Sequence, residues 1–394
     1  MKARSNASPP NSRRGGKLPP PLDPARLGPV LVVGDLMYDH YVWGDVDRVS
    51  PEAPVQVLRW EREAETPGGA ANVALNLASL GCRVRLIGVV GKDAEGNRLV
   101  QGLRAKGVDT SGVITVADRP TIRKMRVIAR GQHVLRIDRE EALPLGRSDE
   151  RRLAAAVKRL ARSASGIICS DYAKGVVSPA VFTAVLSATA SLKRSGGGRP
   201  RVLVDPKGPD HTKYRGADIL TPNEQEVVDA TRELGGASNR ETDLGRRARW
   251  LIRRTGIEAF LVTRGVAGMD LFETNRGKVR KTHIPVAQAH EVYDVTGAGD
   301  TVAAVMGMAA FGWTPLAEAA RLANAAAGIV VGMFGTAVVE PEALIRAMDV
   351  GLSQSGLKIL SRTALQDRVA EARARGERVV FTNGCFDLLH TGHL

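Results

Sequence analysis

Pro29-Val30-Leu31-Val32-Val33-Gly34-Asp35 is where ordered sequence begins in this chain of 394 residues. Four consecutive branched aliphatic residues closed by Gly-Asp read as a strand buried on both faces that runs into a turn. Similar short apolar runs recur at residues 83–88, 165–169, 201–205, 218–220 and 259–263. Between and after them, segments with a helical apolar period occupy residues 69–80, 94–106, 179–192, 246–254, 298–311 and 315–331. Strands and helices alternating at this spacing predict an α/β fold: a doubly wound, mainly parallel sheet with helices on both faces.

Two segments break the alternation. Residues 49–62 and 121–138 carry a β period and sit between βα units. They read as antiparallel ribbons projecting from the sheet edge, either a β-ribbon lid over a site or a decorative edge hairpin. Residues 1–28, rich in Pro, Ser, Gly and Arg, read as a disordered basic tail with no apolar stretch of the kind a signal peptide needs. The main domain is expected over 29–345, a linker with a short helix (363–375) over 346–377, and a new buried strand from residue 378.

The net charge is +14, from 56 Lys and Arg against 42 Asp and Glu. Residues 1–29 hold a net +5, and the rest is spread thinly over the remaining 365. Aromatic residues make up only 4% of the chain, too few to stack many bases, so a nucleic-acid partner is not expected. No apolar run approaches the ~20 residues of a membrane span. Cys82, Cys169 and Cys385 are scattered and odd in number, which predicts free thiols in a reducing, cytoplasmic setting.

The chemistry concentrates in two stretches. Asp294-Val295-Thr296-Gly297-Ala298-Gly299-Asp300-Thr301 opens an apolar helix. Glycines there let backbone N–H groups approach an anion, and the helix N-terminus adds partial positive charge. Asp300 is either a cap of that first turn or a base beside a bound phosphate. Pro67-Gly68-Gly69-Ala70-Ala71-Asn72 opens another helix far upstream; it is either a plain glycine turn or a close approach to a polyol, with Asn72 bonding hydroxyls. Asp35 and Asp39 follow the first strand, at the carboxyl edge where ligands bind in open α/β sheets.

Together these two stretches resemble the ribokinase-like carbohydrate kinases over about residues 29–345. The resemblance implies ATP as donor, Mg²⁺ held through its phosphates, Asp300 as catalytic base, and Gly297, Ala298 and Gly299 as the anion hole. Asn223-Glu224-Gln225-Glu226 is similar to the family's Asn-x-x-Glu motif, which implies a place near Mg²⁺ and the ATP phosphates, with Glu226 the side chain offered to the metal. Thr263 and Gly265, after a strand, and Asn324, on a late helix, match positions that line the nucleotide.

Finer strings narrow the resemblance: Val-Val-Gly-Asp-Leu-Met, Ser-Asp-Tyr-Ala-Lys-Gly and Asp-Pro-Lys-Gly are similar to the branch acting on D-glycero-β-D-manno-heptose 7-phosphate. The implied reaction phosphorylates C1 in ADP-heptose biosynthesis for the lipopolysaccharide core, and the implied assembly is a homodimer. Asp35, Asp39, Gly68, Gly69, Asn72 and Asp171 are the sugar candidates, and Arg123, Arg136, Lys174 and Lys207 the cations for the 7-phosphate. Asn383, His390, Gly392 and His393 resemble the start of a nucleotidyltransferase domain of Rossmann-like type. The sequence stops at Leu394, so that second activity is expected to be absent from this chain. The competing readings are a related kinase for another sugar phosphate or a nucleoside, and a non-enzymatic scaffold or nucleic-acid binder led by the basic tail.

Overall fold

The computed structural model describes residues 24–141, 144–192, 199–236, 243–286, 296–333 and 335–354, with positions 366, 369, 373 and 378–380 beyond them. In chain order the first elements are β1 (Val30–Gly34), β2 (Leu36–Val49), β3 (Gln56–Gly69), α1 (Ala70–Ser79), β4 (Val84–Gly91), α2 (Ala94–Ala105) and β5 (Asp109–Val116). Next come β6 (Ile122–Ala129), β7 (Gln132–Arg139), α3 (Arg147–Leu160), β8 (Gly166–Ser170), α4 (Pro179–Ala190), β9 (Arg201–Asp205) and β10 (Ile219–Leu220). The remainder are α5 (Glu224–Glu233), α6 (Leu244–Thr255), β11 (Ala259–Thr263), β12 (Met269–Asn275), β13 (Lys278–Ile284), α7 (Ala298–Phe311), α8 (Leu316–Val330) and α9 (Pro341–Gln354).

Nine strands form one sheet in the order β13-β12-β11-β10-β9-β8-β1-β4-β5. Pairing is parallel from β11 through to β5, and antiparallel where β12 and β13 extend the edge. The pleat sends Val30 and Val32 of β1 to one face, with α1, α2, α7 and α8. Leu31 and Val33 go to the other, with residues of α3, α4, α5 and α6. Each such side chain removed from water contributes about 1.5–3 kcal/mol, which is why the central strands are apolar without alternation. The doubly wound sandwich expected from the sequence is the fold observed. Among the described residues no helix is long and apolar enough to cross a membrane.

The two ribbons combine into a second sheet of four strands, in the order β3-β2-β6-β7. β2 pairs antiparallel with β3, and β6 with β7, while β2 and β6 run parallel. The first ribbon is longer than its sequence signal. It starts at Leu36, directly after β1, so the stretch 49–62 covers only its turn and half of its return strand. The apolar character of Met37, Tyr38 and Tyr41 hides the alternation there, because all three are buried.

Order also begins earlier than expected. Residues 24–26 form a single 3₁₀ turn, and Leu27 is buried in the core with Arg83 donating to its carbonyl at 3.3 Å. The expected linker from residue 346 is in part helical, as α9 runs to Gln354. The tail 1–23, most of the short helix over 363–375, and Asn383, His390, Gly392 and His393 lie outside the described residues, as does Cys385.

Candidate active site

The site is built where β1, β8 and β9 end, on the carboxyl edge of the sheet, as expected for an open α/β fold. α7 begins beside it. Its N-cap, Gly297, has φ +81°, and a Cβ there would stand 2.8 Å from Asn72 Nδ2 and 3.0 Å from Thr336. Only glycine takes that conformation with a neighbour so close. The N-cap glycine has no side chain to close the helix, and among the described residues a Cβ on Gly299 would meet nothing within 4 Å. The first amides of α7 and the positive end of its dipole therefore face an open approach suited to an anion.

Asp300 is 2% exposed, in the first turn of α7. Its carboxylate does not cap its own helix. Oδ2 accepts from Asn72 Nδ2 at 3.0 Å and Oδ1 from the Tyr172 hydroxyl at 2.8 Å, so two distant segments hold one carboxylate. Burial pushes Asp300 up to about 7; the bonds from Asn72 and Tyr172 and the charge of Lys124 oppose this, while Asp39 adds to it. A carboxylate poised near neutrality can take a proton at working pH. Asn72 is itself oriented: Asn76 Nδ2 donates to its Oδ1 at 3.1 Å and its carbonyl at 3.0 Å, so the Asn72 amide group turns its N–H toward Asp300.

Asp39 and Gly68 meet on neighbouring lid strands. Asp39 is 3% exposed and pairs with Arg126 Nη1 at 2.5 Å. A Cβ on Gly68 would lie 2.2 Å from Asp39 Oδ2, so a side chain there would push the carboxylate away. Asp35 and Asp171 have other partners. Asp35 accepts three backbone N–H groups, from Tyr172 (2.8 Å), Lys174 (3.1 Å) and Val176 (3.1 Å). Asp171 binds the Ala173 N–H at 2.7 Å, Lys213 Nζ at 2.9 Å and the Tyr214 hydroxyl at 2.6 Å. Both carboxylates are occupied in shaping the turn 171–176. Gly69, with φ +58°, caps α1 beneath them.

Strand parity sorts the cation candidates. In the lid register Asp39 lies opposite Lys124, Lys124 opposite Asp138, and Arg126 opposite Arg136, which puts all five on one face. Lys124 stands over the Tyr172 ring at 5.5 Å. Arg123, one residue away, points to the opposite face, where it meets His40 and, at 3.6 Å, Glu95 of α2. Arg123 therefore does not share the face of Asp39 and Lys124, contrary to its grouping with the substrate cations. Arg136 pairs with Asp138 at 3.0 Å, Lys174 with Glu140 at 2.6 Å and Lys207 with Glu226 at 2.7 Å. Lys124 was missed; the signal was the period-two alternation from Asp39 through the strand pairing, which one strand alone does not give.

Asn223 and Glu226 form a capping box at the start of α5. Asn223 Oδ1 accepts the Glu226 N–H at 2.8 Å, and Glu226 Oε2 accepts the Asn223 N–H at 2.9 Å. Gln225 donates to Asp229 at 2.9 Å and Glu224 accepts from Arg264 at 3.3 Å. Thr263 bridges to Asn223. Gly265 follows with φ +53° and open space around it. Asn324 donates to the Pro285 carbonyl at 2.8 Å.

Asp205, at the end of β9, is a further carboxylate that the sequence reading did not single out. Only one of its oxygens has a described partner, the Thr221 hydroxyl at 2.8 Å. Burial first, then the charge of Asp300, pushes it up to about 8, and Glu226 adds to the rise. Among the described residues no three ligand-type side chains form a metal cage. Asp205, which feels the like charges of Asp300 and Glu226 against that of Lys207, fits a Mg²⁺ ion that takes most of its ligands from phosphates and water. Cys82 and Cys169 are buried and unpaired; burial holds both thiols protonated, Cys82 up to about 12, so neither is a nucleophile.

Residues 29–343 match the pfkB family of carbohydrate kinases. Among curated proteins, the bifunctional protein HldE of Geobacter metallireducens is 46% identical over 364 residues, covering 92% of this chain and 72% of that protein. The bifunctional protein HldE of Wolinella succinogenes is 42% identical over 368 residues, covering 93% and 74%. Among solved structures, phosphofructokinase-2 of Escherichia coli in complex with substrates and products superposes with a TM-score of 0.65 at 19% identity, over 83% of this chain and 99% of that one. Ribokinase of Arabidopsis thaliana complexed with ribose and ATP gives 0.62 at 23% identity, over 82% and 99%. At these identities the structures speak for the fold. The matched span and the identity to the curated relatives decide the family: the chain belongs to the pfkB family of carbohydrate kinases and is an enzyme of the HldE type.

Proposed function

We propose that the chain transfers the γ-phosphoryl group of ATP to the C1 hydroxyl of D-glycero-β-D-manno-heptose 7-phosphate, giving the 1,7-bisphosphate in ADP-heptose biosynthesis for the lipopolysaccharide core. The observation that carries the reading is the Asp300 carboxylate, set at the glycine-opened start of α7 and gripped by Asn72 and Tyr172 instead of its own helix. Phosphoryl transfer needs positioning and charge neutralisation more than covalent help. Asp300 accepts the hydroxyl proton, a contribution of about 10²–10⁴-fold. The amides of residues 297–299 and the α7 dipole stabilise charge on the group in transfer.

Mg²⁺, when bound, neutralises phosphate charge; Asp205 and Glu226 are the side chains that would face it. ATP as donor is supported by the ribokinase solved with ATP. Asp39, Gly68, Gly69 and Asn72 border the sugar. Lys124 and Arg136, on the face that Asp39 shares, meet the substrate's phosphate, with Lys174 and Lys207 at the rim. The enzyme works as a cytoplasmic homodimer, a reading supported by the exposed apolar residues Trp60, Val134, Leu135 and Ile137 on the lid. The test is ATP consumption across a panel of sugar 7-phosphates, fructose phosphates and nucleosides. The expected result is turnover with heptose 7-phosphate at least ~10²-fold above the others; equal or better turnover of a nucleoside overturns the assignment.

A further inference from the structure

Tyr172 sits in a turn whose construction exceeds what a connection between β8 and α4 needs. Three of its amides close on the buried Asp35 carboxylate, and a fourth on Asp171, which Lys213 and Tyr214 hold in turn. Ala173 and Gly175 both have positive φ, +56° and +101°. A non-glycine residue in that region is strained and persists only where its surroundings over-determine it. The bracing sets the Tyr172 hydroxyl on Asp300 Oδ1 at 2.8 Å.

We propose that Tyr172 is a positioning residue for the catalytic base: its hydroxyl and the Asn72 amide each occupy one lone pair on a different oxygen of Asp300, fixing the carboxylate plane and leaving its free lone pairs to the sugar hydroxyl, with Asp35 acting through the turn to hold Tyr172 in place. The inference rests on the reading of Asp300 as the base. Tyr172 serves as a donor throughout the working range, because burial and the Asp300 charge push its phenol well above 10. A hydrogen bond to the charged form favours that form, so this contact and Asn72 oppose the effect of burial and lower the pH at which Asp300 ionises. The other charged groups that face Asp300 are Lys124 of β6, Asp39 of β2 and Asp205 at the end of β9.

The test is the pH profile of kcat/KM for Tyr172→Phe in the full chain, which keeps the ring and loses the donor. The acid limb is expected to move up by about one pH unit, with a loss of ~10-fold at pH 6.5 and under ~3-fold at pH 9. Replacement of Tyr172 by 3-fluorotyrosine, a stronger donor of nearly the same shape, moves the limb down; it also serves if the Phe variant does not fold. The ¹³C carboxyl resonance that disappears in Asp300→Asn reports the same displacements without substrate, independent of which sugar is used. Limbs unmoved in both variants, or a uniform loss at every pH, overturn the inference. Full turnover by Asp300→Asn defeats the base assignment instead, while a dead Asp300→Asn with an unmoved Tyr172→Phe limb defeats only the role of Tyr172.

Discussion

Asn72 Nδ2 donates to Asp300 Oδ2 at 3.0 Å, joining the first turns of two helices 228 residues apart. The contact is buried and lies between the two glycine-opened stretches, so on the proposed function the sugar end and the phosphate end of the site share one hydrogen bond. The kinetics and the stability of Asp300 variants follow from it.

Asp300→Asn is expected to bind ATP and fold while losing at least ~10²-fold in phosphoryl transfer. It should also stabilise the protein at alkaline pH. An unfolded Asp ionises near 3.8, whereas Asp300 in place ionises at about 7. The folded state thus holds a proton that the unfolded chain has lost, and stability falls as pH rises from about 4 to 7. The amide removes that loss but leaves one donor of the pair unmet, so the net gain at pH 8 is about 1–3 kcal/mol, vanishing near pH 4. Thermal melts of both proteins at the two pH values check the sign.

Lys124→Met should lower kcat/KM for the sugar phosphate by at least ~10-fold, while Arg123→Met changes it by less than ~3-fold. The two residues are neighbours on opposite faces of the lid, and only Lys124 shares a face with Asp39. Steady-state kinetics with the two variants side by side decide it; equal losses would show that the lid face does not sort the cations.

His211 is fully buried, and neither ring nitrogen has a hydrogen-bond partner among the described residues. Burial depresses it to about 4, below the 6.5 of an unfolded histidine. Stability is therefore complete above pH 6.5 and is lost as pH falls from 6.5 towards 4, by ~2 kcal/mol at pH 5. His211→Leu should erase that acid sensitivity and match or exceed the parent at pH 7, read from urea midpoints at pH 5 and 7.

Asn223→Ala should cost ~1 kcal/mol through loss of the α5 cap, in addition to any effect on ATP. Asn223→Ser keeps a capping oxygen. The Ser variant is expected to match the parent's melting temperature, and a raised KM for ATP in it isolates the nucleotide role.

The lid strand β7 exposes Val134, Leu135 and Ile137 along an unpaired edge. Natural sheets rarely leave such an edge bare. Light scattering at micromolar concentration is expected to give a dimer for the parent and a monomer for the double variant Leu135→Glu, Ile137→Glu.

The central strands were legible because burial on both faces leaves an unbroken aliphatic run, as at Val30–Gly34. α3, by contrast, shows only Leu153, Ala156, Val157 and Leu160 buried among eight charged or polar neighbours, too narrow a stripe to stand out. β12 and β13 form an edge hairpin whose outer strand is largely exposed and cationic, so the strand period is diluted. In the site, Asp300, Gly297 and Asn72 were legible because glycine beside a helix start restricts what the segment can do. Tyr172 was not: its partner is 128 residues away, and nothing in Ser-Asp-Tyr-Ala-Lys-Gly says where the hydroxyl points. The placement of Lys124 and Arg123 needed the β2–β6 register, a long-range pairing invisible to local period. Asp35 and Asp171 sit where the sequence put them, yet the turn they brace takes up their oxygens.

The first ribbon of the lid is joined to the sandwich with almost no spacer. β1 ends at Gly34 and β2 begins at Leu36; β3 ends at Gly69 and α1 begins at Ala70. The single residue left between β1 and β2 is Asp35, whose carbonyl also accepts the Ala70 N–H at 3.0 Å. The roots of the first ribbon are therefore Asp35, which braces the Tyr172 turn, and Gly69, which the proposed function sets beside the sugar. A tilt of the first ribbon is absorbed as backbone rotation at those roots, and so is delivered to Asn72 on one side and to the 171–176 turn on the other. On the proposed function, enclosure of the substrate and alignment of the base are coupled through these roots: a loosened hinge here would misalign the carboxylate even with the lid shut.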